Sequence, residues 1–207
     1  MTIGQKVSGA VNGNTLFLSN HPQWDDLSGT PFSSGLSTVT GRLGFNYENG
    51  AAFMNANARY PEEPIVVPIQ FKHAMVIGAG AEFHAHIHWI QEQSAFPNFL
   101  LAYKLTNYGT VVTKETDFTN YTFLTTPSHK FTYPGSGAFA QITEIGADID
   151  VSSATISASF DVVLFRDSAN ASGLFAGADP VATQVLVKYI DGHVKFNSVG
   201  SRQEYVK

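Results

Sequence analysis

The sequence predicts an all-β protein, a jelly-roll-like antiparallel β-sandwich, and three observations carry that expectation. Short runs of β-branched and aromatic residues alternate apolar with polar at every second position, the period of a half-buried strand. Gly, Pro, Asn and Asp punctuate these runs at short intervals. Helical periodicity is almost absent, and many short strands between Gly/Pro turns and long loops form the pattern of a sandwich.

The elements follow in order. Residues 1–50 are rich in Gly, Ser, Asn and Thr, with Leu16-Phe17-Leu18 as a short apolar knot. Such a segment cannot bury enough surface to fold alone. It reads as an extended arm or a set of loops, with residues 51–207 as a single sandwich domain. The alanines of 51–58 suggest a turn or two of helix. Ile65-Val66-Val67-Pro68-Ile69-Gln70-Phe71 is a strand whose proline belongs at a sheet edge or a bulge. In 81–91, Phe83, Ala85, Ile87 and Trp89 fall on one face and Glu82, His84, His86 and His88 on the other. The run 99–105 follows a Pro97-Asn98 turn, so 81–91 and 99–105 are expected to form a hairpin. Further strands are expected over 121–124, 139–145, 155–166 and 183–190. The second half of 155–166 is continuously apolar, as in a strand covered on both faces. Asp191-Gly192 reads as a hairpin turn into a last strand over 193–199.

Composition bounds the function. At 207 residues the chain is long enough to bury a full core without staples, and it has no cysteine, so nothing in it depends on an oxidising compartment. Charged residues make up 14%, well below the usual quarter or so, which suggests a surface partly covered by partners or by copies of itself. A net charge of −5, with no basic run, argues against a nucleic-acid partner. No segment approaches the ~20 apolar residues of a membrane span, and the first residues lack the apolar stretch of a signal peptide. The expectation is a soluble chain that is not exported by the usual route.

His84-Ala85-His86-Ile87-His88 is the segment with the most chemistry. Histidines on one strand face can share a divalent transition metal, and His84, His86 and His88 are the candidate ligands. The spacing Gly80, His86, His88, Glu92 resembles the first cupin motif up to its closing glycine, where Phe99 stands. The second cupin motif is missing, and His129 and His193 lie in no matching context. Alternate strand residues sit ~6.7 Å apart while Zn–N bonds are ~2.1 Å long, so three in a row on a straight strand converge poorly on one ion. Meeting on the three-fold axis of a trimer is another route. The plainer account is a polar sheet face with its imidazoles hydrogen-bonded to neighbours, and no cofactor is expected.

The other constellations are bland. Trp24-Asp25-Asp26-Leu27 reads as a turn made by Asp side chains and anchored by the indole, since adjacent carboxylates seldom face each other across a substrate. Arg166 is expected in a structural pair with a carboxylate such as Asp167 or Glu144. There is no phosphate-cradling loop, nucleophile elbow or cysteine nucleophile. Sixteen Phe and eight Tyr suit a Phe-filled core, and exposed Tyr or Trp on loops would suit sugar binding. In the terminal stretch, Arg202, Glu204 and Tyr205 look like a docking peg.

These residues carry a resemblance. Trp24-Asp25-Asp26-Leu27, His86-Ile87-His88-Trp89, Tyr103 with Asn107, Thr143-Glu144-Ile145-Gly146, Phe165-Arg166-Asp167 and Gly200-Ser201-Arg202-Gln203-Glu204-Tyr205 occur in that order. Together they resemble a family of tailed-bacteriophage virion structural proteins. The match runs from Trp24 to the end and departs from the pattern over 28–49 and 108–139. The resemblance supplies no catalytic residues and implies a place in the particle, after assembly in the bacterial cytoplasm. The expected role is capsid decoration or cementing, by a homotrimer contacting the major capsid protein, with Trp24, Arg202, Glu204 and Tyr205 at subunit or virion interfaces. The alternatives are a neck or tail appendage gripping host glycans, and a cupin-like metalloenzyme using His86, His88 and Glu92.

Overall fold

A computed structural model of the chain describes residues 51–199 except 55, 57, 59, 63, 73, 74, 77, 113–117, 126–134, 136, 156 and 197. Before residue 51 it describes the segments 11–12, 15–17, 23–28, 32–33 and 44–46. In chain order the strands are β1 (Val11–Asn12), β2 (Thr15–Phe17), β3 (Gln23–Ser28), β4 (Phe32–Ser33), β5 (Gly44–Asn46), β6 (Ala51–Met54), β7 (Ile65–Gln70) and β8 (Glu82–Gln91). They continue as β9 (Phe99–Thr106), β10 (Thr122–Thr125), β11 (Phe139–Glu144), β12 (Ile149–Asp150), β13 (Ser159–Arg166), β14 (Val185–Phe196) and β15 (Ser198–Val199). Among the described residues there is no helix.

The strands make two main antiparallel sheets, a jelly-roll-like sandwich. One is five-stranded in the order β10-β9-β13-β7-β4. The other is seven-stranded, β11-β8-β14-β6-β5, with β12 also paired to β8 and β3 to β14. A small third sheet joins β1, β2 and β15. The core lies where the two large sheets face each other. Ile65, Val67, Ile69, Phe160, Val162 and Leu164 come from one layer, and Phe83, Ile87, Trp89, Val187, Ile190 and Val194 from the other. Rings bridge the layers: Phe83 and Phe160 lie 4.8 Å apart, and Trp89 and Phe99 meet edge to face at 5.7 Å. Each such pair adds about 0.5–1.5 kcal/mol beyond the area it buries.

Several sequence expectations hold in detail. Phe83, Ala85, Ile87 and Trp89 are the buried face of β8. Among the described residues, β4 pairs with β7 only at Ile65 and Val66, so Pro68 lies beyond that pairing. The apolar second half of β13 is buried on both faces. A second cluster explains this: Leu100, Ala102, Val163 and Phe165 lie under Tyr60, Phe118, Tyr121, Phe123 and Phe175 on the far side of the five-stranded sheet.

Other expectations are corrected. Ala51–Met54 is not helical but strand β6, because its backbone pairs with β5 on one side and β14 on the other. Strands β8 and β9 do not form a hairpin. Each is already flanked on both sides in its own sheet, so the connection 92–98 crosses between layers, packed by Trp89, Phe96 and Phe99 with ring separations of 5.5–5.7 Å. The Asp191-Gly192 pair is not a turn either. It lies inside β14, which runs unbroken from Val185 to Phe196. Gly192 is needed there for room, because a Cβ at that position would sit 2.1 Å from the Phe83 ring.

Arg166 pairs with neither Asp167 nor Glu144. Its side chain is fully buried at the end of β13, where Nε donates to Asp179 Oδ2 at 2.7 Å. Three of the remaining guanidinium hydrogens go to the carbonyls of Met54 (3.1 Å), Thr183 (2.7 Å) and Val181. Asp167 is occupied elsewhere, accepting from the backbone N–H groups of Ala171 (2.7 Å) and Ser172 (2.9 Å). One cation thus ties the strand end to the loop that leads into β14 and to the end of β6. Breaking such a pair strands a charge in a medium that cannot solvate it.

Two outcomes test this account. Gly192→Ala lowers stability by about 3 kcal/mol through overpacking against Phe83, and adding Phe83→Leu recovers part of the loss in a double-mutant cycle read by denaturant unfolding. Asp179→Ala costs about 3 kcal/mol or more, seen as a lower urea midpoint with far-UV dichroism unchanged in the folded baseline.

Candidate functional site: the histidine and carboxylate face of the seven-stranded sheet

The polar face of β8 is aligned with the polar face of β14. Register sets Tyr189 opposite His88, Asp191 opposite His86 and His193 opposite His84. On the other side of β8, Ile142 stands opposite His88 and Glu144 opposite His86. Strand β14 owes this alignment to a bulge between Val187 and Tyr189. Before it the odd-numbered residues Val185 and Val187 point into the core. After it the even-numbered Ile190, Gly192 and Val194 do so, which turns Tyr189, Asp191, His193 and Lys195 outward together.

Of the three histidines of β8, His84 has its own carboxylate partners, whereas His86 and His88 share Asp191. His84 Nδ1 lies 2.8 Å from Asp148 Oδ1, and its Nε2 is 3.9 Å from Glu82 Oε2. His86 stands between Asp191 Oδ1 and Glu144 Oε1, each 3.8 Å away, with the His193 ring 4.3 Å off in an edge-to-face contact. His88 Nε2 is 3.1 Å from Asp191 Oδ1, and its ring stacks on Tyr189 at 4.0 Å. Asp191 is buried, and its Oδ1 lies between the His86 and His88 rings. Of the expected metal set His84, His86 and His88, the structure draws only His84 into a group with three ligating atoms within 4.8 Å of one another, the others being Glu82 and Asp148. Glu92, the carboxylate of the cupin-like spacing, is exposed beyond the end of β8.

The burial of His86 pushes its pKa below the usual imidazole value, and the nearby His193 lowers it further. Asp191 and Glu144 pull the other way, and His88 adds to the lowering. The neutral ring is thus the form the fold prefers.

The remaining signature residues serve the framework. Trp89 Nε1 donates to Thr143 Oγ1 at 2.9 Å inside the core. Asn107 clamps the turn before β13, donating to Ser153 O and accepting from the Thr155 N–H, at 2.9 and 2.8 Å. Trp24 occupies a backbone position in β3 opposite Lys195, but its side chain lies outside the described residues, as do Arg202, Glu204, Tyr205 and His129. Sequence reasoning missed Asp148, Tyr189, Asp191 and His193 as members of this face. The alternation Tyr189, Asp191, His193, Lys195 was the available signal, hidden by the resemblance of Asp-Gly to a turn.

No protein-family model matches the chain, and none of the curated proteins is similar to it. Among solved structures it is similar to a carbohydrate-binding module described for specific mannan recognition, with 10% identity and a TM-score of 0.35 over 83% of this chain and 98% of that one. A likeness of that size carries no functional argument.

The His86 shift gives a signed expectation. Its folded pKa lies below the unfolded one, so on acidification the unfolded chain takes up the proton first. Stability therefore falls as pH drops below about 6.5 and goes on falling until the folded pKa is reached. Thermal melts between about pH 7.5 and 5 record this loss, and His86→Gln makes the curve flatter over that window.

Proposed function

We propose that this chain is a structural protein of a tailed-bacteriophage virion, non-catalytic, that decorates or cements the capsid by associating with itself and with its neighbours. The virion assignment rests on the ordered signature from Trp24 to the C-terminus. What supports a framework role for that signature is the use of its described residues. Trp89, Asn107, Thr143, Arg166 and Asp167 are all engaged in bonds that hold strands and loops together. Residues shared for chemistry would converge on a cleft.

The observation that carries the adhesive part is the loop after β9. Tyr108, Val111 and Val112 are 66%, 93% and 61% exposed, close together in sequence on a chain with few charges. Apolar groups held out in water gain free energy by being covered, at about 25 cal/mol per Å². Many copies, each with a modest seam, reach high avidity once anchored on a common lattice. The same exposed Tyr108 favours, as a second reading, an appendage whose loop tyrosine stacks on a host glycan.

Quantitative mass spectrometry of purified particles tests the proposal. The expected result is this chain at a high, fixed copy number per particle, with light scattering showing a homotrimer for the isolated protein. Val111→Ser/Val112→Ser is expected to reduce particle occupancy at least about tenfold, equivalent to some 1.4 kcal/mol per attachment. Absence of the chain from intact particles overturns the proposal, and occupancy indifferent to the loop together with a glycan-array signal lost in Tyr108→Ala replaces it with the appendage.

A further inference from the structure

We infer that Glu82, His84 and Asp148 form a binding site for a divalent transition metal, Zn²⁺ being the fitting probe, at the edge of the seven-stranded sheet. One ligating atom from each residue lies within 4.8 Å of the other two. Ligand atoms sharing a tetrahedral zinc, with bonds of about 2.0–2.1 Å, stand roughly 3.3 Å apart. Small side-chain rotations therefore close the set. The donors are one imidazole and two carboxylates, a mixture that suits first-row divalent ions better than Ca²⁺, whose ligands are oxygens alone.

The backbone explains how the third ligand arrives. Strands β11 and β12 both pair with β8, β11 along 86–91 and β12 at 82–83. Between them the ladder breaks. Ile145 N still donates to Ala85 O at 3.0 Å, and then Gly146 turns the chain at a φ of 72°. Packing favours glycine there too, since a Cβ would lie 3.1 Å from Leu124. This interruption stands beside His84 and delivers the Asp148 carboxylate to its Nδ1. Interrupted ladders commonly re-aim a side chain in this way. Glu82 and His84, two residues apart on one strand, supply the same-face pair.

Charge is consistent with a cation. Two carboxylates meet at one imidazole, and the Lys195 ammonium stands 3.3 Å from Glu82 Oε2, partly neutralising them. A metal would compete with that ammonium for the same oxygen. Asp148 and Glu82 are partly open to solvent, so water would complete the coordination shell. The site is distinct from the set His86, His88 and Glu92, because it uses neither of the two inner histidines.

The test is calorimetric titration of the chelator-stripped full chain with ZnCl₂, paired with melting temperatures. One saturable site per chain is expected, with a rise in melting temperature. His84→Gln and Asp148→Asn should each weaken binding by more than about a hundredfold, the upper end of what losing an outer-shell partner costs. Lys195→Met should tighten it severalfold, a result that a nonspecific surface effect would not produce. His86→Gln/His88→Gln should leave the affinity within a factor of about two. Asp148→Asn alters only a partly exposed turn, so its result stands even if a strand variant misfolds. No saturable binding, binding indifferent to His84 and Asp148, or binding abolished by the His86/His88 pair would each overturn the inference.

Discussion

The pairing of β8 with β14 is the constraint on which the rest of this molecule depends. It is the longest ladder in the sheet, and its register assigns every side chain on two long strands to the core or to the outer face. A slip of one residue would put Glu82, His84, His86 and His88 inside and Phe83, Ile87 and Trp89 outside. Gly192 guards the register at one end, because only a residue without a side chain fits beneath the Phe83 ring. The bulge after Val187 guards it at the other by letting both halves of β14 bury their apolar residues. The polar face is thus a by-product of core packing, and its chemistry comes from what the core leaves over.

A second dependence runs through Arg166. Its buried guanidinium pairs with Asp179 and ties three backbone carbonyls to a strand end, so the approach to β14 is fixed by hydrogen bonds rather than by apolar contact. Charges buried this way are a poor source of net stability but a strong penalty on any alternative arrangement that leaves them unpaired. The loop between Arg166 and β14 accordingly carries other self-satisfying elements. Asp167 caps one turn, and Asn170 exchanges hydrogen bonds with Phe175 in both directions at 2.9 and 3.0 Å.

The sandwich was legible because period-two alternation directly records which face of a strand is buried, as β8 illustrates. Pairing was not legible, because it depends on partners distant in sequence. Pro97 and Asn98 look like a turn whether the chain returns to the same sheet or crosses to the other. Asn98 in fact donates to Gly177 O at 2.9 Å, a residue no local pattern connects to it. Asp191-Gly192 misled for a related reason: glycine serves tight turns and close packing alike, and only the facing Phe83 ring distinguishes them. The histidine face was half visible. Its β8 members stood out, whereas Asp148 arrives through a broken ladder that has no signature in composition.

That broken ladder has a bearing on how copies of the protein could meet. Strands β11 and β12 form one border of the seven-stranded sheet, and a continuous border of this kind invites a neighbouring chain to extend the sheet indefinitely. Here the border is two short pieces out of line with each other, with a charged side chain folded across the gap at Asp148. End-to-end annealing into fibrils is discouraged by that geometry. At this border, contacts between copies therefore fall to side chains and loops rather than to backbone pairing.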